Sequence, residues 1–161
     1  MSIEAQLSSP SDGASFRLPA TNDGVRQGVS AASGLLREAG ASDDDLTAIE
    51  LALAEVLNNV VEHAYEGSDT GKMDLKIDVG GPDIFFRVLD SGNPMPKGRL
   101  PLGNSADTSL PDFEQEEGGY GLFMIRQLAR KLRYSRLGEQ NQLSFRITLG
   151  SDRHWESDLP L

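Results

Sequence analysis

The sequence predicts an α/β fold, a two-layer sandwich with helices packed on one face of a mixed, mostly antiparallel sheet. The first observation is the order of periodic segments, which is strand, two helices, two strands, a long aperiodic stretch, one helix and two strands. The second is that, at two places in the chain, one strand is followed directly by another strand. In a doubly wound parallel sheet, strands and helices alternate strictly. The third is composition, because a chain of 161 residues, of which 38% are hydrophobic and 25% are charged, is typical of one globular domain.

Each element follows from a local pattern. Strand segments alternate apolar and polar residues, whereas helical segments repeat apolar residues every three or four positions. The first helix can be capped by Thr21, Asn22 or Asp23, and the second begins at Ser42 with three aspartates after it. In chain order, we expect a strand at 14–18, helices from 21–23 to about 39 and at 43–65, hairpin strands at 72–79 and 84–89, a helix at 122–132, and strands at 133–137 and 143–149.

One domain is expected over residues 14–150, with a flexible leader at 1–13 and a peripheral tail at 151–161. Residues 91–117 show no usable periodicity, contain four prolines and end in an acidic cluster. Aperiodic stretches of this length inside a domain are usually functional lids or disordered. We therefore predict a long lid between the hairpin and the third helix.

Composition excludes several classes of function. The net charge of −10 argues against a broad surface for nucleic-acid phosphates. The absence of cysteine excludes disulfides, thiolate metal sites and cysteine nucleophiles, and two histidines are too few for a histidine-rich zinc site. No apolar run is long enough to span a membrane, and the first residues do not form a secretory signal. We expect a cytoplasmic location.

A polar stripe marks the second helix. Glu55, Asn59 and His63 follow one another at intervals of four, so they are expected on one side of the helix. Asn is a weak helix former, and its carboxamide oxygen can bind a hard cation, while the Glu55 carboxylate can accept a proton. Asn58 is a rival for the cation but stands only three residues from Glu55. The alternative is an exposed polar stripe without a ligand.

Two glycine-containing turns follow in the chain. Asp90 ends the second hairpin strand, and Gly92 comes two residues later, so a carboxylate could accept a hydrogen bond from an exocyclic amine of a flat ligand. The alternative is an ordinary turn. Residues 118–121 (Gly-Gly-Tyr-Gly) open the third helix, where backbone N–H groups can approach an anion. The alternative there is a hinge for the preceding loop.

The three motifs, in this order, resemble those of the Bergerat-fold (GHKL) ATPase and kinase superfamily, which includes histidine kinases, gyrases and mismatch-repair ATPases. Its N-box of Glu, three residues, Asn, three residues and His-Ala-Tyr matches residues 55–65. Its Asp-x-Gly box matches residues 90–92, and its last glycine box matches residues 119–126. The resemblance covers about residues 16–149 and is closest to the small bacterial anti-sigma factor serine/threonine kinases.

The resemblance implies ATP and Mg²⁺ as cofactors. It makes Glu55 the catalytic base for a serine or threonine hydroxyl, Asn59 the Mg²⁺ ligand and Asp90 the acceptor of the adenine amine. The family usually has a Thr near the last strands that supports adenine recognition, but residues 141–144 here are Asn-Gln-Leu-Ser, so that role is unassigned. The implied nucleotide-binding residues are Asn59, Asp90, Gly92, Gly118, Gly119, Gly121 and Leu122.

The implied function is an ATP-dependent serine/threonine protein kinase that acts as an anti-sigma regulatory factor and phosphorylates an anti-sigma factor antagonist in a partner-switching system. The resemblance also allows a sigma factor as a partner and a homodimer, and it requires no nucleic acid or membrane. One alternative is a nucleotide-binding partner-switch regulator with little or no kinase activity. Glu55 favours the kinase, because a nucleotide binder needs no base. The other alternative is an unrelated two-layer domain that binds no nucleotide.

A basic series near the carboxyl end stands out on this acidic chain. It is expected either to face an acidic partner or to form a solvated helix face. The series consists of Arg126, Arg130, Lys131, Arg133 and Arg136.

Overall fold

The computed structural model describes residues 5–7, 13–66, 68, 70–95, 125 and 127–150. Within them, six strands form one sheet in the order β1-β2-β3-β4-β6-β5, and every neighbouring pair is antiparallel. The strands are β1 (Ala5–Leu7), β2 (Ala14–Pro19), β3 (Lys72–Gly80), β4 (Asp83–Asp90), β5 (Arg130–Leu137) and β6 (Gln140–Thr148). The helices are α1 (Asn22–Glu38) and α2 (Asp43–Asn59), and a π-helical turn follows α2 at Val60–Ala64.

Both long helices begin at the predicted caps. The Thr21 hydroxyl accepts a hydrogen bond from the Gly24 N–H at 3.1 Å, which selects Thr21 among the three candidates for α1. Ser42 and Asp45 form a reciprocal capping box on α2, with bonds of 3.1 and 3.2 Å. Each bond satisfies an N–H group that the first helical turn leaves without a partner. Gly40, with φ of +91°, follows the end of α1 as predicted.

The core lies between the two helices and the inner face of the sheet. Alternate residues of β2, β3, β4 and β6 are buried, as expected for strands with one covered face. The Phe86 and Phe145 rings stack across β4 and β6 with centroids 4.9 Å apart. Apolar residues that recur at helical spacing along α2 and the π turn are buried, namely Ile49, Leu53, Val56, Leu57, Val60 and Val61.

Several boundaries differ from the sequence prediction. The helix predicted to continue to residue 65 is α-helical only to Asn59, because the wider π turn then takes over. The helix predicted to end at residue 132 has already given way to β5 at Arg130. Lys131 adopts a positive φ of +54° there, beside an irregularity in the β5–β6 pairing. β6 begins at Gln140, so Asn141 lies in a strand and not in the predicted turn.

The predicted leader contains the short strand β1, which pairs with β2. Most of the predicted lid, together with Gly118, Gly119, Gly121, Leu122 and the tail at 151–161, lies outside the described residues. Among the helices that the structure describes, none is long and apolar enough to span a membrane.

Candidate active site

The polar stripe on α2 is present over its first two members. Glu55 and Asn59 lie four residues apart on a continuous α-helix and are both half-buried, whereas Val56 and Leu57 between them are fully buried. His63 falls in the π turn and is exposed. The Tyr65 N–H donates to the Val60 carbonyl at 3.2 Å, which is the five-residue bond of a π-helix. Such turns occur frequently at functional sites, and this one displaces His63 from the line of the other two residues.

The carboxamide of Asn59 has an unsatisfied polar atom. Its Nδ2 is buried and has no hydrogen-bond partner among the described residues. A buried amide is stable only when its polar atoms are satisfied, so an acceptor such as a phosphate oxygen that bonds to this NH₂ group would remove a cost, and the carboxamide oxygen could then take a cation. No group of three or more histidine or acidic side chains in the described ranges could hold a metal by itself. A Mg²⁺ ion that takes one protein oxygen, and otherwise phosphate oxygens and waters, suits this arrangement.

Asp90 lies buried at the end of β4, with 6% of its surface exposed. Its Oδ1 accepts hydrogen bonds from the Gly92 N–H at 2.9 Å and from Asn141 Nδ2 at 2.8 Å. Burial raises the pKa of Asp90, while these two hydrogen bonds and the positive charge of Arg136 act against that rise. The described residues form no hydrogen bond to Oδ2.

The π turn that follows α2 is bonded to the turn that follows Asp90. The Asn93 N–H donates to the Ala64 carbonyl at 2.7 Å. The Tyr65 hydroxyl accepts from the Ser91 N–H at 3.0 Å and donates to the Lys72 carbonyl at 2.7 Å. The structure therefore brings the helix that carries Glu55 and Asn59 together with the turn that carries Asp90. The Ala-Tyr pair of the N-box makes this connection.

Gly92 is required at this junction for reasons of space. A Cβ atom at this position would stand 2.4 Å from the Ala64 carbonyl oxygen and 2.8 Å from the Ala64 Cβ. We expect Gly92→Ala to lower the free energy of unfolding by about 1–3 kcal/mol, because backbone must move apart. Chemical denaturation measures this change.

Gly34→Ala is the matched control, because an added Cβ there meets nothing within 4 Å and the residue lies in α1. That substitution should stabilise the protein by about 0.5–1 kcal/mol, since alanine is the better helix former. Equal stability of Gly92→Ala and the wild type would contradict the close packing of the turn on the π turn.

Asn141 is the site residue that the sequence analysis left unassigned. It is buried, with 3% of its surface exposed, and it pairs with Asp90 across β6 and β4. The signal for it lay in the strand period, because Leu143, Phe145 and Ile147 occupy the same inward phase and are apolar. A polar residue in that phase, opposite a second polar residue, indicates a buried polar contact.

The basic series divides into two parts. Its helical interpretation is wrong for the described members, since Arg130, Lys131, Arg133 and Arg136 lie on the edge strand β5. The first three are exposed, whereas Arg136 is half-buried and donates to the Gly92 carbonyl at 2.9 Å. The acidic-partner hypothesis for the exposed members stays a prediction. Arg126 lies outside the described residues.

Comparison with known sequences finds a family profile and related proteins of one kind. A family profile described as a histidine kinase-like ATPase domain matches residues 18–147. Serine-protein kinase RsbW of Staphylococcus epidermidis is 33% identical over 125 residues, which are 76% of this chain and 78% of that protein. Serine-protein kinase RsbW of Halalkalibacterium halodurans is 36% identical over 102 residues, covering 62% of this chain and 61% of that protein.

A solved structure shares the fold. The RsbU and RsbW domains of Rv1364c from Mycobacterium tuberculosis align with a TM-score of 0.55 and 20% identity, over 84% of this chain and 32% of that chain. The predicted two-layer sandwich of the Bergerat type is thereby confirmed.

Proposed function

The chain belongs to the histidine kinase-like ATPase family, in its group of RsbW serine-protein kinases, and from this premise we propose its function. It is an ATP-dependent serine/threonine protein kinase that acts as an anti-sigma regulatory factor. It phosphorylates an anti-sigma factor antagonist in a partner-switching system. Its second proposed partner is a sigma factor, and it works in the cytoplasm.

One geometric observation supports this proposal most directly. Glu55 and Asn59 lie four residues apart on α2, and the π turn that follows that helix is hydrogen-bonded to the turn that follows Asp90. A nucleotide whose base meets Asp90 would therefore have its phosphates in reach of the helix that carries a carboxylate and a free carboxamide. A protein that only binds nucleotide needs no carboxylate at position 55.

In the proposed reaction, Glu55 accepts the proton from the serine or threonine hydroxyl of the protein substrate. The hydroxyl oxygen forms a bond to the γ-phosphorus, the bond between that phosphorus and the β–γ bridging oxygen breaks, and ADP leaves. Asn59 would hold Mg²⁺, which would neutralise charge at the phosphates when bound. Asp90 accepts a hydrogen bond from the adenine amine and fixes the orientation of the base. The residues 118–122 are proposed to contact the phosphates through backbone N–H groups.

The kinase assay tests the proposal directly. The full chain is incubated with Mg²⁺ and γ-labelled ATP in a soluble extract of its source cells, and labelled proteins are identified by mass spectrometry. We expect one small protein labelled on serine or threonine, with the same protein recovered in complex with the kinase before phosphorylation. ATP binding without any labelled protein would favour the regulator that has little or no kinase activity.

The nucleotide site is tested separately by thermal stability. Mg-ATP at about a hundred times its dissociation constant should raise the free energy of unfolding of the wild type by roughly 2.7 kcal/mol. We expect Asn59→Ala to lose this Mg-dependent gain, because the proposed metal ligand is gone. Thermal titration with Mg-ATP, ADP and GTP measures the shifts.

Asn58→Ala is the matched control, since Asn58 is also half-buried on α2 but does not lie four residues from Glu55. It should keep the full gain. Loss in Asn58→Ala with retention in Asn59→Ala would reverse the assignment of the metal ligand.

A further inference from the structure

Asn141 is a buried polar side chain whose hydrogen-bonding capacity is fully used. Its Oδ1 accepts from the Tyr134 hydroxyl at 2.6 Å and from Arg136 Nη1 at 2.8 Å. Its Nδ2 donates to Asp90 Oδ1 at 2.8 Å and to the Asn93 carbonyl at 2.9 Å. Arg136 can only donate and a carboxylate can only accept, so these partners fix which end of the carboxamide faces Asp90.

This contact determines how Asp90 is presented. Asp90 Oδ1 is occupied by Asn141 and by the Gly92 N–H, so the carboxylate is held at one oxygen and leaves Oδ2 for the base. An ionised carboxylate is an acceptor only. It can pair with the exocyclic amine of adenine, whereas guanine carries a carbonyl oxygen at that position and would be repelled. The fixed orientation thus favours adenine.

Two side chains of β5 support Asn141 from behind. The Tyr134 hydroxyl, which donates to Asn141, also accepts from the Met95 N–H at 3.0 Å. Arg136 Nη1 donates both to Asn141 and to the Gly92 carbonyl. Together, Tyr134, Arg136 and Asn141 hold the backbone of residues 92–95, and Asn141 also bonds to the carboxylate of Asp90. A positive charge on Arg136 also favours the ionised form of that carboxylate.

We propose that Asn141, held by Tyr134 and Arg136, is a positioning residue that sets the preference of this site for adenine over guanine nucleotides. This inference rests on the proposed function, because it takes Asp90 as the contact to the base. It assigns to Asn141 the support of adenine recognition for which the sequence offered no Thr. Asn141 does not itself touch the nucleotide but acts through Asp90.

The variant Asn141→Ala tests the proposal through ATP and GTP affinities measured by calorimetry from pH 5 to pH 8. Loss of a hydrogen bond to a charged group should weaken ATP binding by about tenfold to a hundredfold. GTP binding should change much less, so the ratio of the two affinities should fall. Both nucleotides carry the same triphosphate, so the ratio is insensitive to its titration.

The pH profile separates positioning from a general loss of structure. Without Asn141, the pKa of Asp90 rises further, because a hydrogen bond that lowers it is gone. When the pH is lowered, the variant should therefore lose its preference for ATP at a higher pH than the wild type does. Arg136 is the cation that acts on Asp90, and it is unchanged in this variant. Among the described residues, the other titratable groups around the turn are Tyr134, Tyr65, Arg17, Lys72 and Asp74.

Two further variants keep the test decisive. Tyr134→Phe removes only a hydroxyl and should shift the ATP-to-GTP ratio in the same direction by a smaller factor, even if Asn141→Ala does not fold. Gln142→Ala changes the next residue of β6, which lies in the opposite phase of the strand, and should leave the ratio unchanged. A wild-type ratio and pH profile in both Asn141→Ala and Tyr134→Phe would overturn the proposal. A wild type that binds no nucleotide would overturn the proposed function as well.

Discussion

Glu55→Gln is expected to reduce phosphotransfer by about a hundredfold to ten-thousandfold, while Mg-ATP affinity changes by no more than about twofold. The amide has nearly the same shape as the carboxylate but cannot take a proton from a serine hydroxyl. Glu55 is half-buried on α2 and has no hydrogen-bond partner among the described side chains, so the substitution breaks no described contact. Single-turnover transfer to the antagonist, together with calorimetric binding of Mg-ATP, measures the two quantities.

Glu62→Gln provides the control for this variant. Glu62 lies on the π turn after α2 and is exposed, so its loss of charge should change neither transfer nor binding. If Glu55→Gln retains full transfer, another group must accept the proton. If it loses transfer and ATP affinity together, the carboxylate holds the nucleotide or the metal, and the division of roles between Glu55 and Asn59 is wrong.

The sequence predicted the parts of this structure that depend on periodicity and capping. The start of α2 after Ser42 and the hairpin of β3 and β4 follow from short-range patterns. The π turn at Val60–Ala64 could not be predicted in the same way. Val60 and Val61 continue the apolar spacing of the helix. The bonds of Ala64 and Tyr65 to the turn after β4 join segments far apart in the sequence, so no local pattern indicates them.

The end of the third helix was predicted too late for a related reason. Leu128 and Leu132 are four residues apart and fit a helix, and no glycine or proline stands between them. However, Leu132, Tyr134 and Arg136 also fit the alternation of a strand, and pairing with β6 decides in favour of the strand. The same pairing places Arg136 beside Asn141, so the support of Asp90 depends on sheet register that a single sequence does not specify.

Asp90→Asn is expected to lower ATP affinity by about a hundredfold or more and to raise the relative affinity for GTP. An asparagine can keep its oxygen toward the Gly92 N–H and Asn141 Nδ2, which are the bonds that Asp90 Oδ1 accepts. Its amide nitrogen then replaces Oδ2, so a donor faces the adenine amine and an acceptor on guanine becomes the better partner. Competition of ATP and GTP for the site measures this reversal.

Asp90→Asn should also change the stability of the protein, in the direction opposite to its effect on ATP affinity. Because burial raises the pKa of Asp90 above its ordinary value of 3.8, the native state holds this proton to a higher pH than the unfolded chain does. The contribution of Asp90 to the free energy of unfolding therefore falls as pH rises from 3.8 through the raised pKa. At neutral pH the ionised carboxylate is destabilising. The Tm of Asp90→Asn relative to the wild type should increase with pH over this window, because asparagine does not ionise.

Asp78→Asn is the control for both effects, since Asp78 is partly exposed and forms an ion pair with Arg87 at 3.8 Å. It should leave the ATP-to-GTP ratio unchanged, because it lies in β3 away from the turn after β4.

A Tm difference for Asp90→Asn that decreases with rising pH would mean that the native site stabilises the ionised carboxylate. An unchanged ATP-to-GTP ratio in Asp90→Asn would mean that Asp90 does not contact the base. Unchanged ATP affinity in Asp90→Asn, with loss of affinity in Asn59→Ala, would place the phosphates at α2 and the base elsewhere than Asp90.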